Sequence, residues 1–170
     1  MIIWTIGHST RPFNEFVEIL QIYKIKMVID IRHLPGSKKF PHFNKEYLEK
    51  MLPENGISYA HLPGLGGLRK VNKNSLNTSW RNLSFRAFAD YMETPAFEGA
   101  ILELLKIASE KASVLLCAEL LWWRCHRSMV ADYLKSKGIK VIHIFTKEKS
   151  EVHRYTSPAR IITERLTYHE

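Results

Sequence analysis

The chain has two cysteines, Cys117 and Cys125, a single glutamine and no Ser/Gly-rich stretch in 170 residues. Two thiols cannot build a disulfide framework, so a small secreted scaffold is excluded and free thiols in a reducing compartment, by default the cytoplasm, are expected. Their eight-position spacing still allows a reversible disulfide. No apolar run approaches the roughly 18 residues that a membrane span needs. The N-terminal MIIWTIGHS runs into a strand with neither a basic leader nor a small-residue cleavage site, which argues against a targeting segment. Without a linker to divide it, residues 1–170 are expected to form a single domain with a sizeable core, in which 146–170 is a peripheral extension or tail.

Several chemical signatures are also missing. There is no Gly-x-x-x-x-Gly-Lys-[Ser/Thr] phosphate loop, and Gly64-x-Gly66-Gly67 is not a dinucleotide fingerprint. The absence of Cys-x-x-Cys argues against a thioredoxin-like dithiol and against the zinc deaminase signature. A Cys-x5-Arg phosphatase loop would need Arg where Trp123 and Ala131 stand, and Arg124 falls one position too late for Cys117. Cys117, Cys125, His8, His126 and His143 are too dispersed for a compact ligand set, so no metal is assigned and the cofactor is unknown.

What is present is an alternation of short apolar runs and helical patterns. Ile2–Ile6, Ile25–Ile31, Ile57–Leu62, Val114–Leu116 and Ile139–Phe145 read as strands. Between them Phe13, Phe16, Val17 and Leu20, then Phe97, Ile101, Leu104 and Leu105, then Met129, Val130, Tyr133 and Leu134 fall at helical spacing. The expected fold class is α/β, a mainly parallel sheet of about five strands with helices on both faces. Residues 64–83 lack periodicity and far exceed the usual ~4–6 residue connection, which points to a lid, a binding loop or disorder. Residues 160–168 read as either a short strand or a tail.

A parallel sheet gathers its strand ends at one edge, where ligands bind in open α/β folds. That edge receives His8, Asp30, Arg32, His61, Glu119, Cys125, His126 and Arg127. Cys125 is the candidate nucleophile, because a helix start and adjacent cations favour thiolate; its structural alternative is a small residue in a packed turn. Cys117, after three apolar residues, reads as core. His126 shares the apolar stripe of its helix, so a satisfied core histidine competes with a site role. Asp30 and Glu119 are candidate general bases, or else anchors for Arg32 and Arg127 in buried ion pairs. Trp122 and Trp123 are adjacent, so one is expected to be exposed as a stacking platform or a contact.

The order Gly7-His8-Ser9, Asp30-x-Arg32 with Pro35 and Ser37, Leu65-Gly66-Gly67, Cys117-x-Glu119, Cys125-His126-Arg127 and His143 resembles the domain of unknown function 488 family of prokaryotic proteins. The resemblance implies a compact α/β domain with a polar strand-end cluster. It implies no reaction, since the family has no assigned one. His8, Ser9, Arg32, Ser37, His61, Gly66, Gly67 and Arg127 are the candidate binding residues.

The net charge of +8 favours an anionic partner. Residues 32–45 and 63–86 hold nine of the basic residues, Arg32, Lys38, Lys39, Lys45, Arg69, Lys70, Lys73, Arg81 and Arg86, and no acidic one, interleaved with Phe40, Phe43 and Trp80. Such a rim suits a phosphate backbone, though lysine-rich loops also serve solubility. The functional expectation is an enzyme, a hydrolase or transferase, acting on nucleic acid or a nucleotide-like phosphorylated ligand. The rival is a non-catalytic module binding nucleic acid or another partner.

Overall fold

The computed structural model describes residues 1–170. In chain order it comprises β1 (Ile2–Gly7), α1 (Phe13–Ile22), β2 (Met27–Asp30), α2 (Lys45–Glu54), β3 (Ser58–His61), α3 (Leu83–Met92), α4 (Pro95–Glu110), β4 (Ser113–Cys117), α5 (Arg127–Ser136), β5 (Lys140–Ile144), β6 (Ser150–Val152), β7 (Arg160–Ile162) and β8 (Arg165–Thr167). One sheet runs in the order β3-β2-β4-β1-β5-β6, and β7 pairs with β8 separately. The first five strands are mutually parallel, and β6 returns antiparallel to β5. No helix is long and apolar enough to cross a membrane.

The strands are short and apolar because both sheet faces are covered. Ile6, Val28, Val114, Leu116 and Ile144 pack with Phe16 and Leu20 of α1 and Leu48 and Leu52 of α2. The alternate positions Ile3, Ile29, Leu115 and Val141 pack with Phe88 of α3, Leu104 of α4 and Leu134 of α5. The period of two along each strand thus sends successive residues to opposite cores. Helix starts follow their caps: Asn82 Oδ1 accepts the amides of Ser84 and Phe85, and Thr94 Oγ1 accepts that of Phe97.

The aperiodic connection before α3 is ordered, closed down upon that helix. The Arg69 guanidinium lies 3.5 Å from the Tyr91 ring centroid, while Asp90 Oδ1 accepts from Ser75 Oγ at 2.5 Å and Asn77 Nδ2 at 2.7 Å. Arg69 is therefore committed to packing. The C-terminal segment extends the sheet through β6 and then forms a hairpin. Its two turn residues, Thr163 and Glu164, hold φ of 48° and 63°, as a two-residue turn between twisted strands requires.

That segment is fastened by a buried polar chain. Asp132 on α5 accepts from His153 Nε2 (2.8 Å), the Thr156 amide (3.0 Å) and hydroxyl, and Tyr168 Oη (2.8 Å). His153 Nδ1 in turn meets His143 Nε2 at 2.8 Å, and His143 Nδ1 meets the Thr5 hydroxyl. With the aspartate ionised, the acceptor at one end fixes the direction of the chain: Thr5 donates to His143, His143 to His153 and His153 to Asp132.

Burial, together with the neighbouring His153 and Arg127, holds the His143 pKa down to about 2. An unfolded histidine takes up its proton near pH 6.5, so between those values the unfolded chain binds more protons. Stability is complete above that unfolded value and is lost as pH falls toward 2. Urea unfolding between pH 7 and pH 4 should therefore lose up to about 1.4 kcal/mol per pH unit from this group. In a His143→Gln protein the slope should be shallower by up to one proton, and an unchanged slope would remove His143 as the source.

Candidate active site

The carboxyl ends of β1, β2 and β4 meet at one edge. Cys117 ends β4, and its carbonyl accepts the His8 amide at 2.9 Å, while the Ala118 carbonyl accepts that of Ser9 at 3.0 Å. The chain leaving β4 passes so close over β1 that a Cβ on Gly7 would lie 1.8 Å from the Glu119 carbonyl oxygen. Only glycine fits there. Ala118–Leu120 are exposed, Trp122–Arg124 make a single 3-10 turn, and the chain dives back through buried Cys125 and His126 into α5.

The two thiols and a ring nitrogen of His126 lie within 4.8 Å of one another. Hydrogen bonds from Cys125 and then His126, with the charges of His126 and Arg127, hold the Cys117 thiol well below its ordinary range despite burial. Burial pushes Cys125 up, and the bond to Cys117 and the negative charge there push it further. Cys125 is thus the donor and Cys117 the thiolate, which reverses the order expected from sequence. The physical reason is placement: α5 starts two residues beyond Cys125, whose Sγ faces the Trp122 carbonyl at 3.9 Å. His126 Nε2 donates to the Ile31 carbonyl at 2.9 Å, which orients the ring beside the sulfurs.

Arg127, 1% exposed, is the positive charge of this cluster. Its Nη2 donates to the carbonyls of Glu119 (3.0 Å) and Leu120 (3.2 Å), whereas Nε and Nη1 have no partner. Glu119 contributes a carbonyl only. Its side chain is exposed and forms no ion pair with Arg127. Two sulfurs and an imidazole are a donor set that soft divalent metals use, while the buried guanidinium keeps two donors without a partner and its charge acts on the Cys117 thiol through space.

Asp30 and Arg32 form the expected buried pair. Asp30 Oδ1 accepts Arg32 Nε (2.9 Å) and its amide (3.1 Å), and Oδ2 accepts Arg32 Nη2 (2.7 Å) and Tyr59 Oη (2.6 Å). Every strong acceptor position of that carboxylate is taken, so the pair works as a lock. Arg32 also donates to the Phe43 carbonyl, while its own carbonyl accepts His61 Nε2 at 2.7 Å. Burial pushes the Tyr59 hydroxyl up, reinforced by the Asp30 charge.

His8 stacks on Phe43 with ring centroids 4.5 Å apart and donates Nδ1–H to the Ser9 carbonyl, which leaves the Nε2 lone pair free. Burial keeps this ring neutral. Ser9 holds φ of 50° at the turn. Ser37 accepts the amides of Lys39 and Phe40 and so shapes its own loop. Gly66 and Gly67 permit close approach: a Cβ would lie 2.8 Å from His33 Cα in the first and 2.7 Å from His126 Nδ1 in the second. Arg32, His33, Gly67, Ala118, Cys125 and His126 line a cavity of about 320 Å³ at this edge.

The class that the fold defines is an α/β domain with a mostly parallel sheet, whose carboxyl edge holds two thiols, a histidine and a buried guanidinium. The chain belongs to the family described as domain of unknown function DUF488, whose model matches residues 12–134. Comparison with curated proteins and with solved structures gave no match.

Cys117 is buried at the end of its strand, as the sequence reading had it, and what that reading did not foresee is its closeness to Cys125 and His126. The signal that could have found it is a strand-end cysteine followed ten positions later by an arginine at a helix start, which the six-position template does not capture.

Two outcomes are expected. Alkylation by iodoacetamide across a pH series should give Cys117 the lower apparent pKa, read in Cys125→Ser and Cys117→Ser proteins. Cys125→Ala, which deletes the thiol donor, should move the Cys117 profile to higher pH, and an unmoved profile would remove that hydrogen bond as the cause. Arg32→Ala should cost about 3–5 kcal/mol in urea unfolding by stranding the Asp30 carboxylate. A loss below about 1 kcal/mol would mean that the carboxylate is otherwise accommodated.

Proposed function

We propose that the chain is an enzyme acting on a phosphorylated substrate, nucleotide-like or nucleic acid, with Cys117 as the nucleophile. The observation that carries this proposal is the Cys117 thiolate beside Arg127, whose Nε and Nη1 are buried with no partner. A thiolate is a strong nucleophile, and a fixed guanidinium with free donors in the same cluster would stabilise the charge that develops on equatorial phosphoryl oxygens. The sulfur attacks phosphorus, an S–P bond forms and the P–O bond to the leaving group breaks. Water then attacks phosphorus, releasing phosphate and returning the thiolate. The neutral His8 with its free Nε2 is placed to take the proton from that water. Arg32 Nη1, which makes no hydrogen bond, meets the anion at the cavity wall. Cys117 is 5% exposed, so attack requires the exposed Ala118–Leu120 and Trp123–Arg124 segments to open.

The second reading, a nucleic-acid-binding module, draws on the exposed rim of Lys38, Lys39, Lys70, Lys73 and Arg81. It predicts salt-dependent affinity, with the log–log slope falling by about one unit for each rim lysine removed, that is indifferent to changes at Cys117 and Arg127.

The deciding measurement is release of para-nitrophenol from its phosphate ester by the reduced protein, with acid-quench trapping of a phosphocysteine. Cys117→Ser should abolish both, and Arg127→Lys should lower kcat by roughly 10²–10³. No release by the unmodified chain, together with no protection of Cys117 from alkylation by inorganic phosphate, would end the catalytic proposal. Salt-dependent binding of oligonucleotides unaffected by either variant would then establish the module.

A further inference from the structure

A second cavity, of about 530 Å³, opens on the other side of the Trp122–Arg124 turn, and its lining includes Trp80, Trp122, Trp123, Arg154, Tyr155 and Thr156. This volume lies in the range of small-molecule sites, roughly 300–1,000 Å³. Its walls are built. The Trp122 ring stacks on His143 at 4.5 Å and 7° between planes, and its Nε1 donates to Glu151 at 2.6 Å. Trp123 stands at 90° to it and is 47% exposed. Trp80 is nine-tenths buried, and its Nε1 has no partner.

The cleft shares a wall with the cavity lined by Cys125 and His126. Phe85, which also lines that cavity, meets Trp80 edge-on at 5.1 Å. The Trp122 carbonyl faces the Cys125 thiol. A single turn of chain thus presents indoles to one cavity and sulfur to the other. The lining holds a cation, Arg154, and three hydroxyls, those of Tyr155, Thr156 and Ser157, and no carboxylate.

We infer that this cleft takes the base of a nucleotide whose phosphate reaches the Cys117 edge, an inference that rests on the phosphorylated-substrate proposal above. Rings at right angles, one fixed and one exposed, offer a stacking face and an edge contact, and a purine or pyrimidine presents a π face to any aromatic platform. Arg154 supplies a cation for the base edge or the phosphate, the Tyr155 and Ser157 hydroxyls serve donor or acceptor groups on the base, and Thr156, whose proton goes to Asp132, can only accept. An aliphatic ligand would leave these groups unused.

The test is tryptophan emission titrated separately with adenosine, AMP and inorganic phosphate, alongside protection of Cys117 from iodoacetamide. Adenosine and AMP should quench, and phosphate should not. Trp123→Ala should weaken AMP binding by roughly 5- to 100-fold while leaving protection by phosphate unchanged. If neither adenosine nor AMP quenches while phosphate still protects Cys117, the base cleft is wrong and the thiolate site stands. Quenching with no protection by phosphate or AMP severs the cleft from Cys117 and overturns the placement of the phosphate. A concentration-dependent dimer in sedimentation, abolished by Trp123→Ala and accompanied by no quenching, would assign the surface to a second copy and overturn the inference.

Discussion

Burying the Arg127 guanidinium is the constraint around which this edge is arranged. A cation removed from water must find a negative charge or acceptors close by, and here one nitrogen finds two carbonyls while the charge of the whole group is felt by the Cys117 thiol. Each of those depends on a backbone feature. The carbonyls of Glu119 and Leu120 point inward only because the chain after β4 crosses β1 at a glycine, with no room for a Cβ at position 7. The thiolate depends on Cys125, whose S–H bond is the largest influence holding Cys117 down. The sequence elements Gly7, Cys117, Cys125 and Arg127 are therefore one electrostatic unit.

Two further locks keep that unit in place, and neither is itself reactive. The Asp30–Arg32 pair with Tyr59 ties the end of β2 to β3 and, through the Phe43 carbonyl, to the loop on which His8 stacks. The chain from Thr5 through His143 and His153 to Asp132 ties β1 and β5 to β6, α5 and Tyr168. Both put ionisable groups where burial is nearly complete, so each is stabilising only while every member is present. The acid sensitivity of His143 and the stranded carboxylate left by loss of Arg32 have the same origin.

The parallel sheet and its helices were legible in the sequence because short continuous apolar runs, alternating with stretches of helical spacing, leave few alternatives. The five parallel strands fall where Ile2–Ile6 to Ile139–Phe145 placed them, within a few residues. The strand-end gathering of His8, Asp30, Arg32, His126 and Arg127 followed from topology alone. What remained hidden was side-chain direction and anything carried by unusual local geometry. Thr163-Glu164 is a poor advertisement for a turn with two positive φ angles, so the last hairpin could not be told from a tail. The long connection before α3 looked free because its fastenings, Arg69 on Tyr91 and Asn77 on Asp90, join residues of ordinary surface type. The order of the two thiols was hidden because burial was not legible: the Arg127 charge and amide do act on Cys125, but desolvation, the bond to Cys117 and the negative charge there outweigh them. Cys117 instead gains the hydrogen bonds of Cys125 and His126 and the charges of His126 and Arg127.

That inversion makes the Leu120–Arg124 segment the hinge of the whole edge. An apolar linker between two cysteines looks like filler, yet Trp122 from it reaches across to stack on His143 and to bond Glu151, both outside the stretch matched by the family model. The C-terminal extension therefore helps to position the turn that carries the thiols: β6 supplies Glu151, and His153 just beyond it packs edge-on against Trp122 at 4.9 Å. Any opening of the turn must therefore unstack Trp122 or pivot around it. Trp123 lacks those ties: it meets the Trp122 ring edge-on and is 47% exposed. Consecutive residues thus give the turn one indole held by His143, Glu151 and His153 and one open to solvent, and the carbonyl of the held one faces the Cys125 thiol.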